Sequence, residues 1–143
     1  MMGNAPGRVL AIDYGSKRVG VAVSDPTRLI SQGVGTFEND EKLLGRLCDT
    51  IRRREVVLVV VGMPYSADGG KGTQAREVGR FIDRLKEVAA VEVDTWDESL
   101  SSVRANEAFR EAGMKRRKRA QKWRVDEMAA RLLLQEYLDR HEH

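Results

Sequence analysis

A chain of 143 residues, one third of them charged and with a mean hydropathy of −0.46, can bury about two-thirds of its unfolded surface in one core, so a single domain over 1–143 is expected. No apolar run approaches the roughly 18 residues that a membrane span needs. The opening MMGNAPG carries no basic stretch followed by an apolar one, and the lone Cys48 cannot form an internal disulfide; both point away from secretion and toward a cytoplasmic protein.

Val9, Leu10, Ala11 and Ile12 follow one another without polar alternation, so residues 8–13 read as a central strand buried on both faces, ending on the acid Asp13. Tyr14-Gly15-Ser16-Lys17 predicts a tight turn. Val19, Val21 and Val23 then alternate with small residues, and the second strand returns beside the first as a hairpin. A third strand is expected from Leu29 to Phe37, its glycines suggesting a bend or bulge. Asn39 or Asp40 is placed to cap a helix in which Leu44, Leu47, Cys48 and Ile51 recur at helical spacing, closed by Arg52-Arg53-Arg54, cations that suit a helix C-terminus. Val56 to Gly62, the most hydrophobic segment, predicts a parallel strand covered on both sides. After a glycine-rich loop, Thr73 caps a helix with Val78, Phe81, Ile82, Leu85 and Ala89 on one face. Val91 to Trp96 reads as a strand nearer an edge, a helix from about Leu100 to Ala112 stops at Gly113, and a last helix runs from about Val125 to Arg140. Together these elements describe an α/β fold: a five-stranded mixed sheet, three antiparallel strands then two parallel, with helices on both faces.

Asp13 ends one buried strand and Asp97-Glu98 ends the last one. In open α/β sheets ligands gather beyond the carboxyl ends of strands, so these acids can converge. Asp126 shares a helical face with Ala130, Leu133 and Tyr137, and the small Ala129-Ala130 pair lets that helix come close to the sheet. Three crowded carboxylates repel one another and call for cations. An oxygen-only donor set suits Mg²⁺ or Mn²⁺, whereas both histidines, His141 and His143, stand at the end of the chain, which disfavours zinc. Two such ions about 4 Å apart activate water and stabilise the leaving oxygen in phosphodiester cleavage. Each acid also has a structural reading: Asp13 as a turn organiser, Asp97 and Glu98 as exposed turn acids, Asp126 as a charge favoured near a helix N-terminus.

Four stretches, "DYGSKRVGVAVSD" from Asp13 to Asp25, "VVGMPYSADGGKG" from Val60 to Gly72, "DESLSS" from Asp97 to Ser102 and "VDEMAARLLLQEYL" from Val125 to Leu138, together resemble the YqgF family, also called RuvX. The resemblance spans nearly the whole chain. It implies an RNase H-like nuclease fold, metal-dependent hydrolysis in maturation of the 5′ end of 16S rRNA, with branched-DNA junction resolution as the other suggested activity. It also implies that Asp13, Glu98 and Asp126 are the catalytic, metal-binding acids. The arginine that the family commonly carries after Asp-Glu is Ser99 here, a departure that bears on a substrate or structural contact and leaves the carboxylate of Glu98 in place.

Seven of the ten residues in "KRRKRAQKWR" are basic. Lys115, Arg116, Arg117, Lys118, Arg119, Lys122 and Arg124 precede the helix of Asp126 and are candidates to displace counterions from a nucleic-acid backbone, while Trp123 can stack on a base or anchor the helix. Lys17 and Arg18 beside Asp13, and Lys71 in the loop after the fourth strand, are further phosphate-binding candidates. That loop is no Walker A motif, since Tyr65 and Gly72 stand where Gly and Ser or Thr are needed. The expected partner is nucleic acid, with no membrane role, for a monomer or weak homodimer. A non-catalytic nucleic-acid binding protein is the other class that stays open; Asp13, Gly15 and Gly20 also fit the phosphate motif of the actin, hexokinase and Hsp70 superfamily, but that reading needs two related domains and 143 residues provide one.

Overall fold

The computed structural model describes residues 6–64, 73–97 and 119–141, with the backbone alone for Thr73 and for 119–126. Strands β1 (Arg8–Tyr14), β2 (Arg18–Ser24), β3 (Ser31–Glu38), β4 (Val56–Met63) and β5 (Glu92–Asp97) form one sheet in the order β3-β2-β1-β4-β5. β1 pairs antiparallel with β2 and β2 with β3, whereas β4 lies parallel to both β1 and β5. Helices α1 (Leu43–Arg53) and α2 (Thr73–Val88) cover one face and α3 (Arg119–Arg140) the other. This is the expected mixed sheet, with β5 at an edge. The helix expected over 100–112 lies outside the described residues. Among the described residues no helix is long and apolar enough to cross a membrane.

The unbroken apolar runs of β1 and β4 are explained by this layering. Leu10 and Ile12 pack toward α1 and α2 with Leu47, Phe81 and Leu85, while Val9 and Ala11 pack toward α3 with Ala130, Leu133 and Leu134. Strand alternation therefore delivers apolar side chains to both faces over Val9 to Ile12 and Val59 to Val61, while Arg8 and the 47% exposed Val57 stand where the cover is incomplete at the start of each strand. The α2 stripe Val78, Phe81, Ile82, Leu85 and Ala89 is buried as expected, as are Leu47 and Ile51 of α1, with Leu44 and Cys48 partly so.

Three boundaries differ from expectation, each for a physical reason. β3 begins at Ser31 because Asp25 captures the chain before it: Asp25 Oδ1 accepts the amides of Leu29 and Ile30, both at 2.8 Å, and Oδ2 accepts the amide of Thr27 at 3.0 Å and its hydroxyl. Leu29 and Ile30 thus lie in a tight loop, 61% and 67% exposed, despite their apolar side chains. The expected bulge is present: Val21 pairs with Gly35 and Ala22 with Gly33, leaving Val34 as the extra residue. α1 begins at Leu43, where the Asp40 carbonyl accepts the Leu43 amide at 3.1 Å and its side chain accepts the Lys42 amide at 3.0 Å; Asn39 caps nothing. α3 starts at Arg119 rather than Val125, so the end of the basic run is helical. Arg, Ala, Gln and Lys are good helix formers, and the apolar period marks only where a helix meets the core. The arginine triplet closes α1 as expected, with Arg52 and Arg53 both bridged back to Asp49.

Partial burial alone would raise the Asp25 carboxyl, but the hydrogen bonds from Thr27, Ile30 and Leu29 outweigh it and bring its pKa down to about 2 from 3.8. A depressed acid contributes stability that is present above its unfolded pKa and lost as pH falls through the folded one. Wild-type protein is therefore expected to lose on the order of 1 kcal/mol between about pH 4 and pH 2 that Asp25→Asn does not, a figure reduced for solvent screening. Urea denaturation of both proteins across that window measures it.

Candidate active site

Asp13 continues the β1 series Val9 and Ala11 on the α3 side of the sheet, and is half-buried where those residues are fully buried. It is the first position in the series at which the sheet no longer closes over the strand. Its register partner on β2 is Gly20, which places no side chain beside the carboxylate. Arg18 lies diagonally across from Asp13 on the same face, at a spacing that long side chains bridge, and is half-buried; Lys17 is exposed in the turn. The turn itself is tight. A Cβ on Gly15 would stand 2.5 Å from the Arg18 carbonyl oxygen, so Gly15→Ala is expected to destabilise the protein by about 1–3 kcal/mol, measurable by urea denaturation.

α3 is seated on this face by specific contacts, the first of them level with Val9, at the opposite end of β1 from Asp13. Ser31 Oγ donates to the Arg131 carbonyl at 2.8 Å, the Ser31 amide donates to Gln135 Oε1 at 3.0 Å, and Gln135 Nε2 donates to the Leu29 carbonyl at 3.0 Å. Gly33 leaves its Cβ space to the Glu127 carboxylate, so the helix lies close against β3. Ala130, Leu133 and Tyr137, the residues spaced along one face from Asp126, are buried against the sheet. Across the sheet, on β5, Asp94 Oδ2 accepts from Tyr137 Oη at 2.8 Å; burial, reinforced by that carboxylate, pushes the phenol up to about 12. Trp96 packs edge-on against Tyr137 with Arg140 over its ring, which fixes the strand that leads to Asp97.

The structure thus brings Asp13 and Arg18 onto one face with the helix of Asp126 docked over it. Glu98, Lys71, Lys115, Arg116, Arg117 and Lys118 lie outside the described residues; Arg119, Lys122, Trp123, Arg124 and Asp126 are placed on α3 by their backbone alone. Among the described residues no group of three or more His, Cys, Asp or Glu side chains could hold a metal ion. The part of the candidate donor set that is described, the Asp13 carboxylate with glycine as its register partner on β2, has the hard oxygen chemistry that suits Mg²⁺ or Mn²⁺. Sequence reasoning missed two polar anchors, Gln135 on β3 and Asn39 on the β1–β2 turn. Neither carried a local signal, because their partners are about a hundred and about two dozen residues away.

The sheet order and the diagonal helix are those of a known class. Thermus thermophilus RuvC in complex with Holliday junction substrate superposes with a TM-score of 0.59 over 93% of this chain and 94% of that one, at 16% identity. The fold is therefore the RuvC-like form of the RNase H fold. Sequence similarity is more particular. Residues 7–140 match the family model described as "RuvX: Holliday junction resolvase". The chain is 40% identical over 134 residues to a "putative pre-16S rRNA nuclease" of Desulforamulus reducens, covering 92% of this chain and 96% of the relative. It is 41% identical over 136 residues to a protein of the same name from Chlorobaculum tepidum, covering 94% of each. The chain belongs to the RuvX family.

Proposed function

We propose that this protein is a metal-dependent nuclease, one domain over residues 1–143, that hydrolyses phosphodiester bonds in precursor 16S rRNA in the cytoplasm as a monomer or weak homodimer. The observation that carries the reading is the position of Asp13. It is the one acid of the central strand, it follows directly on the buried run Val9 to Ile12, it has glycine as its register partner on β2, and α3 is docked over the same face. Membership of RuvX and the names of its relatives supply the substrate class.

Asp13, Glu98 and Asp126 are the residues that would hold Mg²⁺ or Mn²⁺. The bound metal would supply Lewis acidity, lowering the pKa of water and offsetting charge on the phosphate oxygens. The chain's own contribution is to gather carboxylates from a strand end, the segment after β5 and a helix, and to present cations to the nucleic-acid backbone. Lys17 and Arg18 flank Asp13, Lys71 follows β4, and the Lys115 to Arg124 stretch leads into and forms the start of α3. A partner bound mainly through phosphates weakens steeply with salt, so affinity is expected to fall with ionic strength.

Junction resolution is the second reading, favoured by the RuvC-like fold and by the description of the family model. Cleavage of labelled precursor 16S rRNA and of four-way DNA junctions, each with Mg²⁺ or Mn²⁺ and with EDTA, separates the two. Metal-dependent cutting of the RNA supports the first reading and cutting of the junction alone supports the second. Binding without cleavage of either substrate would reject the enzyme.

A further inference from the structure

The geometry points to Asn39 as a positioning residue for Asp13, a role that rests on the metal-centre reading above. The β1–β2 ladder ends at the pair Tyr14 and Val19, and the turn beyond it must satisfy its carbonyls from elsewhere. One residue takes two of them. Asn39, which directly follows β3, donates its side-chain Nδ2–H to the Gly15 carbonyl at 2.7 Å and its backbone N–H to the Lys17 carbonyl at 3.0 Å. The start of α1 does not need it, because Asp40 engages the amides of Lys42 and Leu43.

The turn has reason to be clamped. Glycine has the freest backbone of any residue, and Gly15 is two residues from the carboxylate that must meet two others from distant parts of the chain. Rotation about Gly15 would move the turn that carries Lys17 and joins the strand of Asp13 to that of Arg18. Holding the carbonyls on both sides of Ser16 from a neighbouring strand removes that freedom before any ligand arrives, so less ordering remains to oppose binding. The amide is suited to this position because it donates without adding charge to a site that must attract a divalent cation. An aspartate of the same shape would turn an oxygen toward the Gly15 carbonyl.

Full-length wild type, Asn39→Ala, Asn39→Asp and Asp40→Ala are compared by Mn²⁺ titration followed by EPR, and by hydrogen exchange of the peptide spanning 14–18 without metal. Asn39→Ala and Asn39→Asp are both expected to bind Mn²⁺ about tenfold more weakly, the lower end of the losses seen when groups supporting a metal ligand are removed. Both are also expected to exchange the turn amides faster. Asp40→Ala, which alters the start of α1 and not the turn, is expected to keep wild-type affinity. The Asp variant is decisive: if residue 39 acted only through local charge, it would tighten Mn²⁺ binding. The positioning role is overturned by wild-type affinity in Asn39→Ala, by tighter binding in Asn39→Asp, or by an equal loss in Asp40→Ala. Wild-type protein that binds no Mn²⁺ rejects the metal centre and the positioning role with it; faster exchange in Asn39→Ala would then leave the clamp as turn geometry alone.

Discussion

Asp13→Asn is expected to reduce metal-dependent cleavage by at least roughly 100-fold while leaving the melting temperature within a few degrees of wild type. The substitution preserves the size of the side chain at the end of β1 and removes its charge. Metal-stabilised charge in a transition state is worth several kcal/mol, and each 1.4 kcal/mol is a factor of ten in rate. Asp13 sits at the margin of the core, half-buried beside Gly20, so the change disturbs none of the packing made by Val9, Leu10, Ala11 and Ile12. Relief of repulsion within an unmetallated carboxylate cluster would offset any hydrogen bond lost. Initial rates at saturating Mg²⁺, with thermal melts of the same samples, test both halves; a variant with wild-type rates would remove Asp13 from the active site.

The second large effect is expected on α3, the helix that carries Asp126. Leu133→Ala should cost about 2–5 kcal/mol, since Leu133 is fully buried between α3 and the small residues of the sheet, and lower the melting temperature on the order of 10 °C. Leu47→Ala, equally buried beneath α1 on the opposite face, should cost a similar amount. Their catalytic consequences should diverge. At a temperature where both variants remain folded, loosening α3 displaces the element that carries Asp126, whereas a cavity beneath α1 leaves β1, β5 and α3 in place. Cleavage should fall several-fold further in Leu133→Ala than in Leu47→Ala, and equal rates would show that the seating of α3 does not control the site.

The two faces differ in how they are packed, which is the basis of that expectation. Toward α1 and α2 the sheet offers Leu10, Ile12, Val19, Val21 and Val23, large side chains that tolerate some rearrangement. Toward α3 it offers Ala11 and Ala22 among others, met by Ala129 and Ala130, so the backbones come close. Close approach is what a carboxylate on the helix needs in order to meet one on the strand, and it leaves little side-chain volume to absorb a displacement. The polar contacts of Ser31, Gln135, Tyr137 and Asp94 then set where the helix lies along the sheet.

Much of this was legible beforehand where one residue's surroundings follow from its near neighbours. Val9 to Ile12 and Val56 to Val61 read as doubly covered strands because they do not alternate, and the structure buries both faces from Val9 to Ile12 and from Val59 to Val61, with Val57 exposed. Asp13 stood out as an acid at the end of such a run, and the spacing from Asp126 through Ala130, Leu133 and Tyr137 marked the buried line of α3. The extent of α3 was less legible, because its first turns contain helix formers without an apolar stripe. Leu29 and Ile30 misled for the opposite reason: their side chains favour a strand, but a single carboxylate, Asp25, holds both amides in a loop. Asn39 had the composition of a helix cap and acts on a turn formed earlier in the chain.

Amino-acid order alone therefore specified the strands, the burial of each helix face, the acid at the end of β1 and the kinship with RuvX, because periodicity, propensity and motif spacing are properties of residues close together along the chain. Which carbonyl Asn39 holds, how Gln135 fixes α3 over β3, and how Tyr137 reaches Asp94 were settled only by folding. Those contacts join segments separated by dozens of residues, and their energies exist only once the sheet has brought the segments within the 3 Å or so that a hydrogen bond requires.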